Sequence, residues 1–326
     1  MNSSVLSGLE LRLLRFLVAN GVRSERELAG ALRVKQSTIN YCFRRLREKG
    51  AVAGVRYRFD LAALGFPVRV KFALRLKGMS DVEKAMSEVM FFPECEHCAL
   101  LTGAYDVTAS FALRSVGDIG SKVMELSERV EGVTAINPVV SLKAFKVHGV
   151  RLPLGRERVK CDGVDLKLLA FFASHPGESV VAAARAVGVH RNTAAARWKR
   201  LWEEGVVLKE SVVVGEDFLA EAGERFRALV FFDVLPGRLG EAVEALSAFP
   251  EVHELDWISS RHDLMALVRV SSVEEFQGFH YGVRHHPLLS SVLTDLESLV
   301  VLEARSRNSS ETLSALAARE FGFGVA

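Results

Sequence analysis

Residues 67–77 alternate strictly, with Val68, Val70, Phe72, Leu74 and Leu76 on one face and Arg69, Lys71, Arg75 and Lys77 among those on the other. That is the period of a half-buried strand. Ser80-Asp81-Val82-Glu83 then opens a helix to about Phe92. Strands are expected over 95–101 and 105–113 around a turn at Gly103, followed by a helix over 117–130 and a last strand over 139–147. The same order returns over 228–234, 237–249, 252–258, 264–270, 272–283 and 295–302. Ahead of each such block the period is helical instead. Leu11, Leu14 and Phe16-Leu17 form one stripe that ends near Asn20-Gly21, and Ser24 to Glu27 reads as a capping box opening a helix with Leu28, Ala31 and Leu32. After a turn at Arg33-Val34, a third helix buries Ile39, Phe43 and Leu46 and stops at Gly50, and 52–59 is extended and arginine-bearing.

The second helical block, over 162–173, 179–187 and 190–204, is in register with the first. Adding 155 carries Leu11 to Leu14 onto Leu166 to Leu169, Ser24 onto Ser179, Thr38 onto Thr193, Leu46 onto Leu201 and Gly50 onto Gly205. Farther on the offset is 157, so Pro93-Glu94 matches Pro250-Glu251 and Tyr105-Asp106 matches His262-Asp263. A slip of two residues over that span implies tandem duplication. The helical blocks read as winged helix-turn-helix units and the alternating blocks as βαββαβ, ferredoxin-like split units. The expected fold class is α+β, with two winged helix-turn-helix domains (1–60 and 151–215) alternating with two ferredoxin-like domains (61–150 and 216–306), and a tail over 307–326. A short helix is expected over 311–320. Each ferredoxin-like sheet has one face bare of helices, which invites pairing with another sheet.

Charge changes the picture more than composition does. The 326 residues are 49% hydrophobic and 25% charged, with a net charge of +2. Residues 1–60 carry 12 Lys/Arg against 5 Asp/Glu, 61–150 carry 10 and 10, 151–215 carry 11 against 7, and 216–326 carry 9 against 18. Two basic modules therefore alternate with a neutral and an acidic one, the pattern of two polyanion-binding units. No apolar run reaches the roughly 20 residues of a membrane span, and the polar Met1-Asn2-Ser3-Ser4 start is unlike a signal peptide, so a cytoplasmic protein without membrane partners is expected. Four cysteines are too few for a disulfide framework.

In the first basic block the third helix presents Gln36, Ser37, Asn40, Tyr41 and Arg44 away from its apolar face. In the second, Arg191, Asn192, Ala195, Ala196 and Lys199 take those places, after His190. Such faces suit a major groove, where Arg pairs with guanine, Asn or Gln with adenine, and Ala touches the thymine methyl. Lys35, Arg45 and Arg200 are expected to serve phosphates, with Arg56 and Arg58 on a wing. The expected partner is double-stranded DNA, with half-sites that differ in sequence. Solvated helix faces, or helix-turn-helix units used for protein contacts, are the plain alternative. Trp198 and Phe43 read as core.

Cys95-Glu96-His97-Cys98 is the one metal-like string, but it lacks a second matching pair. It lies at a strand start, where residues three apart point to opposite faces, so buried thiols are expected, with no metal and no cofactor.

The order of parts resembles the Lrp/AsnC family of feast/famine transcription regulators. Asp162 to Leu169 is similar to that family's opening helix motif, Gly50 to Gly54 to its wing entry, Leu64-Gly65 to its linker, and Gly103-Ala-Tyr105-Asp106 to the turn of its ligand-sensing domain. The resemblance implies DNA-binding regulation of transcription, assembly into homo-oligomers through the ferredoxin-like domains, and a small amino acid effector. Carried onto this sequence, the effector residues are Gly103, Tyr105, Asp106, His262 and Asp263. The second turn, Ser260-Arg261-His262-Asp263, lacks the glycine, and Gly103 is equally explained by a tight turn. A rival reading is an enzyme: siroheme decarboxylases resemble the same architecture, pair two units and hold a tetrapyrrole with histidine and basic or aromatic residues. His253, Trp257, Arg261 and His262, with His97 and Tyr105, are the residues that could serve it.

Overall fold

The computed structural model describes residues 6–22, 24–78, 81–152, 159–307 and 313; the helix expected over 311–320 lies outside them apart from Leu313. The first head is built from α1 (Gly8–Asn20), α2 (Glu25–Leu32), α3 (Gln36–Glu48) and the wing strand β1 (Val52–Phe59). Its capping box is formed: the Ser24 hydroxyl accepts from the Glu27 amide while the Glu27 carboxylate accepts from the Ser24 amide. Next come β2 (Val68–Leu76), α4 (Val82–Met90), β3 (Cys95–Leu101), β4 (Val107–Leu113), α5 (Asp118–Arg129), β5 (Val133–Val147) and the short β6 (Val150–Arg151). The second head repeats the first with α6 (Gly163–Ser174), α7 (Val180–Val187), α8 (Arg191–Glu203) and β7 (Val207–Val214). The last block is β8 (Phe226–Val234), α9 (Leu239–Ala248), β9 (Val252–Ser259), β10 (Leu264–Val270), α10 (Val273–His285), α11 (Leu289–Val292) and β11 (Leu293–Ser306). The fold is α+β.

The two ferredoxin-like blocks share one sheet. Its order is β2-β4-β3-β11-β8-β10-β9-β5, and β5 also pairs with β2, so eight antiparallel strands close on themselves, with β6 appended to β5. Both last strands are longer than the sequence pattern predicts because each crosses from its own block to the other. β5 pairs with β2 through its first half and with β9 through its second. β11 pairs with β8 and then, from Val301, with β3. The edges through which two separate chains could join are thereby paired within one chain.

Helices cover the outside of the ring. α4 and α5 bury Phe72, Met86, Phe111 and Leu126 against the first block, and α9 and α10 bury Phe232, Leu246, Leu255 and Phe279 against the second. Inside the ring, Ala99, Leu101, Leu229, Ile258, Met265 and Leu267 form a smaller apolar cluster between the bare faces. Cys95 and Cys98 are both fully buried in the first core. Strict alternation does not hold there: a bulge between Cys95 and His97 resets the register, so both thiols point to the helices and His97 to the ring interior.

The heads are tied to each other by their wings. β1 and β7 form a two-stranded antiparallel sheet with Arg56 opposite Ser211 and Arg58 opposite Lys209. Each wing packs into the other head. Tyr57 of the first wing meets Phe172, Trp198 and Trp202 with ring centroids 5.9, 5.3 and 6.1 Å away. Val212 of the second wing lies in the core of α1, α2 and α3 with Leu13, Leu17 and Leu46. The backbones approach closely at this seam. A Cβ on Gly21 would sit 2.5 Å from the Glu210 carbonyl oxygen, and one on Gly215 would collide with the Gly50 carbonyl.

Candidate nucleic-acid interface and internal cavity

In each head the third helix is set by a carboxylate at the third position of the first helix. Glu10 is buried and takes Lys49 Nζ at 2.7 Å and Arg45 Nε at 3.9 Å. Burial would raise the Glu10 carboxyl, but Lys49 and the Ser7 amide outweigh it and hold it below its ordinary value. The matching Asp165 is 1% exposed and receives Arg200 at 2.5 Å and Arg197 at 3.1 Å. Arg45 and Arg200, expected to serve phosphates, are therefore engaged within the heads, Arg45 also with Glu48 at 3.2 Å. These contacts tie the third helix of each head to the first, while both guanidinium groups remain part-exposed.

The faces of α3 and α8 are open. Lys35, Gln36, Ser37, Asn40, Tyr41 and Arg44 are all exposed on the first. On it, Gln36 donates to Glu25 at 2.8 Å, and Arg44 lies 5.8 Å from the Tyr41 ring centroid and 3.6 Å from Glu48. Arg191, Asn192, Ala195, Ala196 and Lys199 are exposed on the second, with Lys199 3.6 Å from Glu203. His190 is the N-cap of α8, its Nδ1 accepting from the Asn192 amide at 3.3 Å. These surface pairs are weak and can exchange for phosphates.

The arginines of the first wing lie elsewhere. Arg56 and Arg58 sit on β1, whose partner is β7, and Arg58 lines a cavity inside the molecule instead of reaching outward. The sequence pattern places them on a free wing because it does not reveal that the two wings pair.

The residues expected to hold an effector do not line that cavity. Asp106 accepts from the Leu76 amide at 2.7 Å and Asp263 from the Val234 amide at 2.9 Å, so both tie a turn to a neighbouring strand. Gly103 has φ +106, and a Cβ there would lie 2.7 Å from Leu299, which makes the turn reading sufficient. The Arg75 guanidinium lies 5.4 Å from the Tyr105 ring centroid. His262 is buried between Asp233 at 2.8 Å and Glu297 at 3.2 Å. Of the residues considered for tetrapyrrole chemistry, Trp257 and Arg261 are on the surface, and only His97 lines the cavity wall.

The cavity has a volume of about 500 Å³ and opens between β1, the inner faces of the ring and the hairpin of β5 and β6. His97, His148, Arg69, Lys71, Glu254 and Arg269 form much of its polar wall. Arg69 is 3.3 Å from Asp256 and 3.5 Å from Glu254, Lys71 is 3.5 Å from Glu254, and Arg269 is 2.6 Å from Glu224. Burial opposes the Glu254 charge, but Lys71 and Arg69 outweigh it and hold its carboxyl well below the usual range. Burial beside these cations keeps His97 low, at about 3, and His148 and His253 well below their ordinary value. Burial, with Arg56 and Arg269 nearby, lowers Arg58 to about 9. Sequence reasoning missed Arg58, His148, Glu254 and Arg269 as cavity residues. The alternation of 67–77 had put Arg69 and Lys71 on the bare face, which was the available signal.

Comparison with known proteins adds the following. A family model described as winged helix-turn-helix DNA-binding matches residues 6–53. The HTH-type transcriptional regulator Ptr1 of Methanocaldococcus jannaschii is 27% identical over 150 residues, which span all of that protein and 46% of this chain. An uncharacterized HTH-type transcriptional regulator of Pyrococcus horikoshii, PH1916, is 30% identical over 115 residues, covering 76% of it and 35% of this chain. The crystal structure of the siroheme decarboxylase NirDL superposes with a TM-score of 0.59 at 14% identity, over 95% of this chain and 99% of that one, a likeness of fold.

Proposed function

The chain belongs to the HTH-type transcriptional regulators, and we propose that it is of the Lrp/AsnC type its sequence resembles and that a single chain reads two unequal half-sites of one operator. The observation that carries the proposal is the pair of exposed third helices, α3 and α8, joined through one β1–β7 sheet. Exposed Lys35, Arg44, Arg191 and Lys199 give affinity through phosphates, and that part is salt-dependent. Gln36, Ser37, Asn40 and Tyr41 meet bases of one half-site, and Asn192, Ala195 and Ala196 meet those of the other. The operator is then an imperfect palindrome, with its half-site spacing set by the paired wings. A small amino acid effector of the kind the family resemblance implies binds near the turns of Gly103 and His262. Self-association of chains uses surfaces other than the β3–β11 and β5–β9 seams, which are filled within the chain.

The test is fluorescence anisotropy on duplexes selected from a random pool. One chain per duplex, with affinity falling steeply as salt rises, supports the proposal. Weak binding with no sequence preference removes it.

A second reading has one observation in its favour. NirDL, which shares the fold, has also been solved in co-complex with an iron-uroporphyrin III analogue, and here two histidines line the cavity. Decarboxylation replaces CO₂ with a proton, which needs an acid at the reacting carbon. His97 and His148 are held in the neutral form at pH 7, which counts against that role. Iron-uroporphyrin III added to the purified chain discriminates: an absorbance shift and CO₂ release favour the enzyme, and an unchanged spectrum removes it.

A further inference from the structure

The cavity inside the ring contains an imbalance that the fold does not need. Arg69, Lys71 and Arg269 each have a carboxylate within 3.5 Å. The Arg58 guanidinium lines the cavity, part-exposed to it, and has no hydrogen bond or ion pair among the described residues. The His97 ring has no hydrogen-bond partner among them either, and His253 Nε2, Arg56 Nε and Arg269 Nε are buried without a hydrogen-bond partner among the described residues. A guanidinium that faces a cavity without a paired carboxylate has its N–H donors available to an anion that enters. Water entering the cavity can solvate the guanidinium but cannot neutralise it.

Part of the rest of the wall is apolar, with Val147, Leu229, Leu267 and Val301 facing the same space, and Asp60, Ser110, Ser141 and Arg307 add polar groups to it. A volume of about 500 Å³ lies within the range of small-molecule sites, and mixed walls of this kind suit a ligand with an apolar body and a few charged groups. Guanidinium groups match carboxylates through paired N–H donors. Glu96 also faces the cavity, where burial raises its carboxyl against the opposing pull of Arg69 and Lys71.

We propose that this cavity binds an organic anion carrying at least two carboxylates on an apolar body, with Arg58 as its principal anchor, and that occupancy is felt at the two heads through β1. The route is short. Arg58 stands opposite Lys209 of β7, and Lys209 Nζ lies 3.4 Å from the carbonyls of Val18 and Ala19 at the end of α1. Tyr57 and Phe59, on either side of Arg58, pack into the second head. An anion that draws Arg58 toward the ring therefore pulls on the sheet that fixes both heads. This site is separate from the turns of Gly103 and His262. Its consequence at DNA rests on the regulator reading, whereas its binding does not.

The experiment is calorimetric titration of the full chain with benzene-1,3,5-tricarboxylate, with inorganic phosphate as the comparison anion. The expected result is one tricarboxylate per chain, bound at least tenfold more tightly than phosphate. Arg58→Met should weaken it roughly 10- to 100-fold, as loss of a charged hydrogen bond does. Arg75→Met, on an exposed arginine of the same ring, should leave it unchanged. If Arg58→Met does not fold, Leu267→Trp, which fills the cavity, should abolish binding with Arg58 intact. No heat with tricarboxylate, equal affinity for phosphate, or unchanged affinity in both variants overturns the site. Tricarboxylate should also shift DNA affinity severalfold. Binding without that shift overturns the coupling, and a chain that binds tricarboxylate but no DNA overturns the regulator reading while leaving the site standing.

Discussion

The two heads share a skeleton and differ at the surface. Both set the third helix with a carboxylate on the first, Glu10 or Asp165, and both end that helix in glycine, Gly50 or Gly205. The buried carboxylates answer different partners: Glu10 mainly a lysine, Asp165 two arginines. The exposed faces differ more, with Gln36, Asn40, Tyr41 and Arg44 on one head and Asn192, Ala195, Ala196 and Lys199 on the other. Duplication kept the positions that build a head and released those that face outward. The wings add a further asymmetry, since the first contributes an aromatic ring to its neighbour and the second contributes a valine.

That asymmetry gives the largest expected effect. Tyr57→Ala removes a ring wedged against Phe172, Trp198 and Trp202 and should cost about 3–5 kcal/mol, read by urea unfolding. Val212→Ala, the matching change in the other wing, should cost about 2 kcal/mol. Equal costs would mean the wings are not exchanged as described.

The ring beneath the heads should respond to acid. His97, His148 and His253 have folded-state pKa values depressed below the unfolded one, so unfolded chains take up protons first as pH falls below about 6.5. Stability is therefore fully present above that pH and declines as pH falls, for His97 toward about pH 3 by up to about 1.4 kcal/mol per pH unit, with His148 and His253 adding in the same direction. His97→Gln should remove one proton from the slope between pH 6.5 and 4.5. A slope unaltered by that change would place the His97 ring in water.

Next come the buried carboxylates. Asp165→Asn leaves Arg200 without its buried anion, while Arg197 keeps Asp162 at 2.6 Å, and should cost about 2–3 kcal/mol, discounted because both arginines reach solvent. Glu10→Gln should cost less, about 1–2 kcal/mol, because it strands chiefly Lys49. Thermal unfolding of the two variants checks the order. The smallest effect is a gain. Arg33 holds φ +56 at the end of α2, where the second head has Gly188 at φ +77. Arg33→Gly should stabilise the first head by at most about 1 kcal/mol, measured as a rise in melting temperature.

Local signals in the sequence located each element in turn. The capping box at Ser24, the alternation of 67–77 and the stop at Gly50 all depend on neighbours along the chain. What the pattern could not convey is long-range pairing. The exchange of β1 and β7 took Arg56 and Arg58 out of a DNA-facing wing, and the bulge at Cys95–His97 reversed the facing of one cysteine. The cavity draws its wall from β1, β2, β3, β4, β5, β8, β9, β10 and β11, so no stretch of sequence contains it. Arg69 and Lys71 were visible as bare-face cations, but their partners Glu254 and Asp256 lie about half the chain away.

The central claim is that α3 and α8 read different halves of one operator. Selection of bound duplexes from a random pool, done in parallel for the unaltered chain, Asn40→Ala and Asn192→Ala, tests it base by base. The account predicts an imperfect palindrome in which Asn40→Ala relaxes preference in one half-site and Asn192→Ala relaxes it in the other. Both variants relaxing the same positions, or neither changing any, would contradict it.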